Sequence, residues 1–155
     1  MMAPVDDLDR IMAVMQAAFD PLYGEAWTRS QMENALLLGG CRYLMIGEAG
    51  TAPAEGLPAA GFALLRAALD EEELLLFAIA PDFRRRGLGK HLLDQALQSA
   101  KSAGIRRMVL EMRRGNDAEY LYRGAGFQPV GLRRNYYRTS KGDHLDAITF
   151  ARDID

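Results

Sequence analysis

Leu8, Ile11, Met12, Met15 and Phe19 recur at helical spacing behind Asp6, a residue type that caps helices, so residues 7–19 are expected to form an amphipathic helix. Thr28 with Gln31 three positions on is a capping-box pair. Met32, Ala35 and Leu36 then give the buried stripe of a second helix that stops at Gly39-Gly40. Residues 43–48 are expected as a strand, and residues 50–58, rich in Gly, Pro and Ala, as a long and mobile hairpin loop. Two apolar runs of strand length, 59–66 and 73–80, flank the acidic turn Leu69-Asp70-Glu71-Glu72 and should pair antiparallel. Leu88, Leu92, Leu93, Ala96, Leu97 and Ala100 form the buried face of a helix ending before Gly104, and residues 105–112 follow as a strand. A strand–helix–strand unit of this length implies a right-handed crossover to a parallel neighbour. Asn116 and Glu119 are spaced like a second capping box for a short helix to Arg123, and residues 127–132 and 146–151 complete the strands. The expected fold class is α+β: a mostly antiparallel sheet with one parallel pair, 73–80 beside 105–112, and helices on both faces.

The chain has 155 residues, enough for one domain (1–155) with a single core. Its formal net charge of −2 argues against nucleic acid as a partner, which requires a basic surplus. The arginines are nevertheless local: Arg84 to Arg86, Lys90, Arg113-Arg114 and Arg133-Arg134 all lie in the second half, as a basic rim suited to a polyanion. The one cysteine, Cys41, allows no internal disulfide or thiolate cluster and fits a reducing cytoplasm. Asp6, Asp7 and Asp9 stand where a signal peptide carries positive charge, and no apolar run reaches membrane-spanning length, so a soluble, cytoplasmic protein with no membrane partner is expected. His91 and His144 have no ligand-spaced partners, so no metal is expected.

Candidate chemistry concentrates at Phe83-Arg84-Arg85-Arg86-Gly87-Leu88-Gly89-Lys90, which joins a strand to a helix. Gly87 and Gly89 leave the backbone bare where consecutive N–H groups can point at one anion, and the helix start adds the positive end of its dipole. A pyrophosphate would fit there. The spacing is neither that of a Walker A loop nor that of a Rossmann turn. The alternative is a tight strand-to-helix turn with no ligand.

Arg84-x-x-Gly87-x-Gly89 matches the acetyl-CoA signature of the GNAT N-acetyltransferases. Leu110-Glu111-Met112-Arg113, Asn116, Leu121-Tyr122 with Gly126-Phe127, and Arg133-Arg134-Asn135-Tyr136-Tyr137 follow in the order of the RimI-type ribosomal-protein-alanine N-acetyltransferases, which the chain resembles over residues 5–151. The resemblance implies an acetyl-CoA-dependent N-acetyltransferase with no metal, acting on the α-amine of a peptide or protein N-terminus, a ribosomal protein among the candidates. It further implies that the two parallel strands splay where the cofactor enters. Arg84, Arg85, Arg86, Gly87, Leu88, Gly89 and Lys90 would then hold the cofactor, with the backbone of Phe77, Ala78 and Ile79 and the side chain of Asn116.

Direct acetyl transfer needs a base for the amine, donors for the oxyanion and an acid for the departing thiolate. The resemblance assigns the base to Glu111 and the acid to Tyr122. The bland alternatives are a glutamate leaving the sheet for solvent and an aromatic packed in the core, with Tyr120 as a local rival for the acid. Trp27, Tyr136 and Tyr137 match segments that face the acceptor. The chain departs from the family at Ala26, where Pro is usual, at Leu145, where Glu is usual, and in a segment between Glu111 and Tyr122 that is one residue short. Lysine side chains, small amines and a non-catalytic acyl-CoA-binding module stay open as alternatives.

Overall fold

A computed structural model describes residues 5–154. In chain order its elements are α1 (Val5–Ala18), α2 (Arg29–Leu37), β1 (Cys41–Ile46), β2 (Gly61–Ala68), β3 (Glu71–Ile79), α3 (Leu88–Ser102), β4 (Arg107–Arg113), α4 (Glu119–Gly124), β5 (Gln128–Arg138) and β6 (His144–Asp153). The strands form one sheet in the order β1-β2-β3-β4-β6-β5. Its β3–β4 pair is parallel and the other four pairs are antiparallel, the expected α+β architecture.

Alternation along β2 separates the two faces. Phe62 and Leu64 pack with Leu8, Ile11, Met15 and Met32 of α1 and α2, while Ala63 and Leu65 pack with Leu92, Leu93 and Ala96 of α3 and Tyr122 of α4. Burial on both faces accounts for the apolar run through β2, as expected of a central strand. Arg42 on β1 reaches the buried Glu72 of β3 through two hydrogen bonds of 2.8 Å, and also bonds Ser99 and the carbonyl of Ala96. This fork clips three strands to α3.

One residue in β3 changes the geometry of the whole sheet. Leu64 pairs with Leu76 and Leu65 with Leu74, so Leu75 is extra, a β-bulge. Before it, Leu74 joins the α3 core; after it, Leu76 and Ala78 join the α1 core and Phe77 and Ile79 turn to α3. A bulge bends its strand and sharpens the local twist. Here β3 parts from β4: parallel pairing covers 71–74 against 107–110 and stops, about half the length expected for the parallel pair. The implied splay is present.

Several local expectations need correction. Asp6 lies inside α1, which already includes Val5, and not at the position before its first residue. The β2–β3 turn is Leu69-Asp70 alone; Glu71 and Glu72 belong to β3, because Glu72 is drawn inward by Arg42. The loop at 50–58 is strapped down, with Arg10 donating to the carbonyls of Ala54 and Leu57 at 2.9 and 2.8 Å and Gln95 to that of Gly50 at 3.2 Å. β5 runs six residues beyond its expected end at 132, since β6 offers it a partner as far as His144. The capping box at Thr28 forms as expected, with bonds of 3.2 and 2.7 Å to and from Gln31.

Candidate active site

Between β3 and α3 the chain takes left-handed backbone at Arg85 and again at Gly87, with φ of 63° and 77°. Alternation of this kind turns consecutive N–H groups to one side. Among the described residues, the N–H groups of residues 85–90 donate to no group of the chain, and α3 makes its first bond from His91 to the carbonyl of Gly87. Six neighbouring donors without partners at a helix start have the geometry that anions favour. A β-carbon at Gly87 would meet nothing within 4 Å, so the concave side is open.

The side chains of this loop divide their work. Arg84 donates to the carbonyls of Ile79 (3.0 Å) and Ala18 (3.3 Å), bracing the loop against β3 and α1 instead of facing an anion. Arg86 pairs with Glu48 at 2.9 Å. Leu88 is buried and anchors the helix in the α3 core. Arg85 and Lys90 are exposed and form no ion pair among the described residues. At Gly89 an added β-carbon would first meet Leu121 at 3.3 Å, then Ile79 and Phe77, so this glycine serves close packing of α3 on its neighbours.

Where β3 and β4 part, a crevice of about 360 Å³ opens, lined by Glu25, Trp27, Phe77, Glu111, Asn116, Tyr122, Tyr136 and Tyr137. The sequence-derived base, acid and acceptor residues thus converge. Met108, Leu110 and Met112 of β4 pack toward α3, so alternation turns Glu111 to the opposite face. Its Oε2 accepts from Thr149 Oγ1 at 3.3 Å and meets Arg133 Nε at 3.2 Å. Its Oε1 has no partner among the described residues. With its side chain 19% exposed, Glu111 is a half-buried carboxylate with one oxygen available to a proton.

Tyr122 enters from the other face, on α4, packed edge-on against Phe77 and Phe127 at centroid distances of 6.1 and 6.0 Å. Burial pushes its phenol well above the ordinary tyrosine range, and the negative charge of Glu25 adds to the shift. It is held as a neutral acid. Tyr120, its local rival, is 82% exposed and is not among the residues that line the crevice. Asn116 uses its side-chain oxygen to accept from Ala118 N–H at 3.0 Å, so it shapes the turn before α4 and does not cap the helix as expected. Glu119 instead pairs with Arg123 at 2.7 Å.

On the acceptor side, three residues of β5, 134–136, stand opposite Asp146 alone, because Arg133 pairs with Ala147 and Tyr137 with Leu145. Asn135 has a left-handed φ of 53°, and its N–H donates to Asp146 Oδ1 at 3.0 Å. That hydrogen bond, with the charge of Arg114 beside it, holds the Asp146 carboxyl below the usual range. The bulge carries Tyr136 and Tyr137 over the crevice, ring against ring at 5.2 Å. Burial, with the negative charges of Glu25 and Glu111, pushes Tyr137 up to about 12. Phe77 lines the crevice, whereas Ala78 is buried on the α1 side and Ile79 packs toward α3. His91 and His144 are exposed, one on α3 and the other opening β6.

Glu25 is the crevice residue that was given no role of its own from the sequence, although it opens the Glu25-Ala26-Trp27 segment that matches the family's first helix-to-helix loop. It lies in the α1–α2 loop at 3.2 Å from Arg113 Nε, and burial raises its carboxyl above the usual range against the pull of that arginine. A lone loop glutamate has no periodicity to betray it; its place in the Glu25-Ala26-Trp27 segment was the signal that could have found it.

The sequence profile of the Acetyltransferase (GNAT) family matches residues 8–127. The [ribosomal protein bS18]-alanine N-acetyltransferase of Salmonella typhimurium is 43% identical over 96 residues, 61% of this chain and 64% of that protein. Its Haemophilus influenzae counterpart is 37% identical over 91 residues, 59% of this chain and 62% of that protein. The matched stretches therefore span less than two thirds of these relatives. The crystal structure of the ribosomal-protein-S18-alanine N-acetyltransferase from Escherichia coli superposes with a TM-score of 0.81 at 29% identity, covering 100% of this chain and 92% of that one. With the profile running from α1 to the end of the α4 turn, across the anion loop and both walls of the crevice, the chain belongs to the acetyltransferase (GNAT) family.

Proposed function

We propose that this chain transfers the acetyl group of acetyl-CoA directly to the α-amine of a peptide or protein N-terminus, in the cytoplasm, on an acceptor such as the ribosomal protein for which its relatives are named. The observation that carries this reading is the approach of Glu111 and Tyr122 to one crevice from opposite faces of the sheet. Bound acetyl-CoA supplies an activated thioester. The free N–H groups of residues 85–90, with Arg85 and Lys90, suit its diphosphate, and the unpaired edge of β3 beyond Leu74 with Asn116 suits its amide-rich arm. Glu111 Oε1 takes a proton from the amine, and Tyr122 delivers one to the departing sulfur.

Magnitudes favour an α-amine. Freeing one from its proton at pH 7 costs about 1 kcal/mol, against about 4.6 kcal/mol for a lysine side chain. A carboxylate base suits the easier task, and Trp27, Tyr136 and Tyr137 offer aromatic walls to a peptide. The test is mass spectrometry after incubation with acetyl-CoA and a short peptide that begins with alanine and carries an internal lysine. Acetylation at the N-terminus alone, lost when that amine is blocked, is expected. Efficient acetylation of the blocked peptide or of a free polyamine overturns the N-terminal reading, and CoA binding without turnover on any amine overturns the enzymatic one.

A further inference from the structure

Glu25 holds a position in the crevice that pairing with Arg113 does not explain. Its side chain is 18% exposed, and only Oε1 is engaged, by the single bond of 3.2 Å from Arg113 Nε. Arg113 spends its planar group elsewhere, over the ring of Tyr23 at 3.6 Å from the centroid. A carboxylate present only to satisfy an arginine is normally met by the two parallel bonds of the guanidinium fork, as Glu72 is by Arg42 in this chain. Glu25 Oε2 has no partner among the described residues. No described side-chain polar atom is buried without one, so Oε2 is accessible, on a residue that lines the crevice.

The charge is also felt there. Burial is the larger influence on Tyr122 and Tyr137, yet the field of Glu25 raises both, so Arg113 does not cancel it. The crevice thus holds two half-engaged carboxylates, Glu25 from the α1–α2 loop and Glu111 from β4, each with one oxygen committed to an arginine and one free. An ammonium group, with three donors and one positive charge, has the chemistry to meet such an oxygen.

We propose that Glu25 is an acceptor-binding residue that determines specificity, its Oε2 receiving the ammonium of the incoming N-terminus while Glu111 takes the proton. This rests on the function proposed above and names the group that selects its acceptor. The experiment uses the full chain as wild type, as Glu25→Gln, and as the double variant Glu25→Gln/Arg113→Met, in which no arginine is left without its partner. Steady-state rates with acetyl-CoA and an alanine-first peptide give the KM for each substrate, and thermal melting reports the fold.

Glu25→Gln should raise the peptide KM at least tenfold and leave the acetyl-CoA KM within twofold. The double variant should recover melting temperature but not peptide KM. An unchanged peptide KM in Glu25→Gln, or its recovery in the double variant, overturns the proposal and leaves Glu25 as a support for Arg113. If the wild type acetylates a lysine side chain or a small amine in place of the peptide, the N-terminal reading fails by itself, and Glu25 is judged by the same KM comparison on that amine.

Discussion

Tyr122 owes its protonation state to where α4 puts it. With the ring 7% exposed between Phe77 and Phe127 and the charge of Glu25 in reach, ionisation is disfavoured, so the loss of the acid form moves to higher pH than for a free tyrosine. The wild-type kcat should therefore show no decline from this group up to about pH 10. Tyr122→Phe keeps the packing and removes the proton, and should lower kcat roughly 100-fold or more while acetyl-CoA affinity and melting temperature stay close to wild type. Tyr120→Phe should behave as wild type; a loss of kcat there and not at Tyr122 would reassign the acid. Sequence could place an aromatic at both positions but could not choose between them on local grounds, because exposure depends on which side of α4 meets Phe77. Glu111 was readable from its motif, whereas Arg133 and Thr149 at its Oε2 come from distant strands whose register no local pattern fixes.

The loop from β3 into α3 shows how two glycines of one motif do different things. Gly87 has a φ of 77° with open space around its absent side chain; Gly89 has ordinary helical backbone and no room. Gly87→Ala should cost about 1 kcal/mol of stability through left-handed strain. Gly89→Val should cost about 1 to 3 kcal/mol by forcing α3 away from Leu121, Ile79 and Phe77. Both should weaken CoA binding at least tenfold, about 1.4 kcal/mol. Calorimetry with CoA beside denaturant melts separates the two effects, and unchanged CoA affinity in both variants would refute the anion loop. The sequence marked this loop as a ligand site, yet from the motif alone Gly89 reads as room for the ligand and Arg84 as a phosphate contact. The packing partners of both lie on other elements, which is why the structure was needed.

Across the whole molecule, the sheet is tied to its crossover helix by Arg42, which forks onto Glu72, a residue 2% exposed, and also bonds Ser99 and the carbonyl of Ala96 on α3. Glu72→Gln leaves the guanidinium without its counter-charge and should lower unfolding free energy by about 3 kcal/mol, measurable by denaturant titration, with little change in KM for either substrate. The order of elements and the parallel pair could be read from apolar spacing and turn residues, whereas the sheet divides the expected single core into two clusters, one on each face. The phase of β3 could not be read. Burial alternates without interruption from Glu72 to Ala78, so nothing in the apolar rhythm betrays that Leu75 has handed the strand from one core to the other. Leu74 belongs with α3 and the loop suited to the acetyl donor, while Leu76 and Ala78 belong with α1 and α2, whose connecting loop carries Glu25 and Trp27. On the proposed function, substitutions at Leu76 or Ala78 should therefore raise the KM for the acceptor and leave CoA affinity close to wild type, so that the two sides of the crevice can be altered separately.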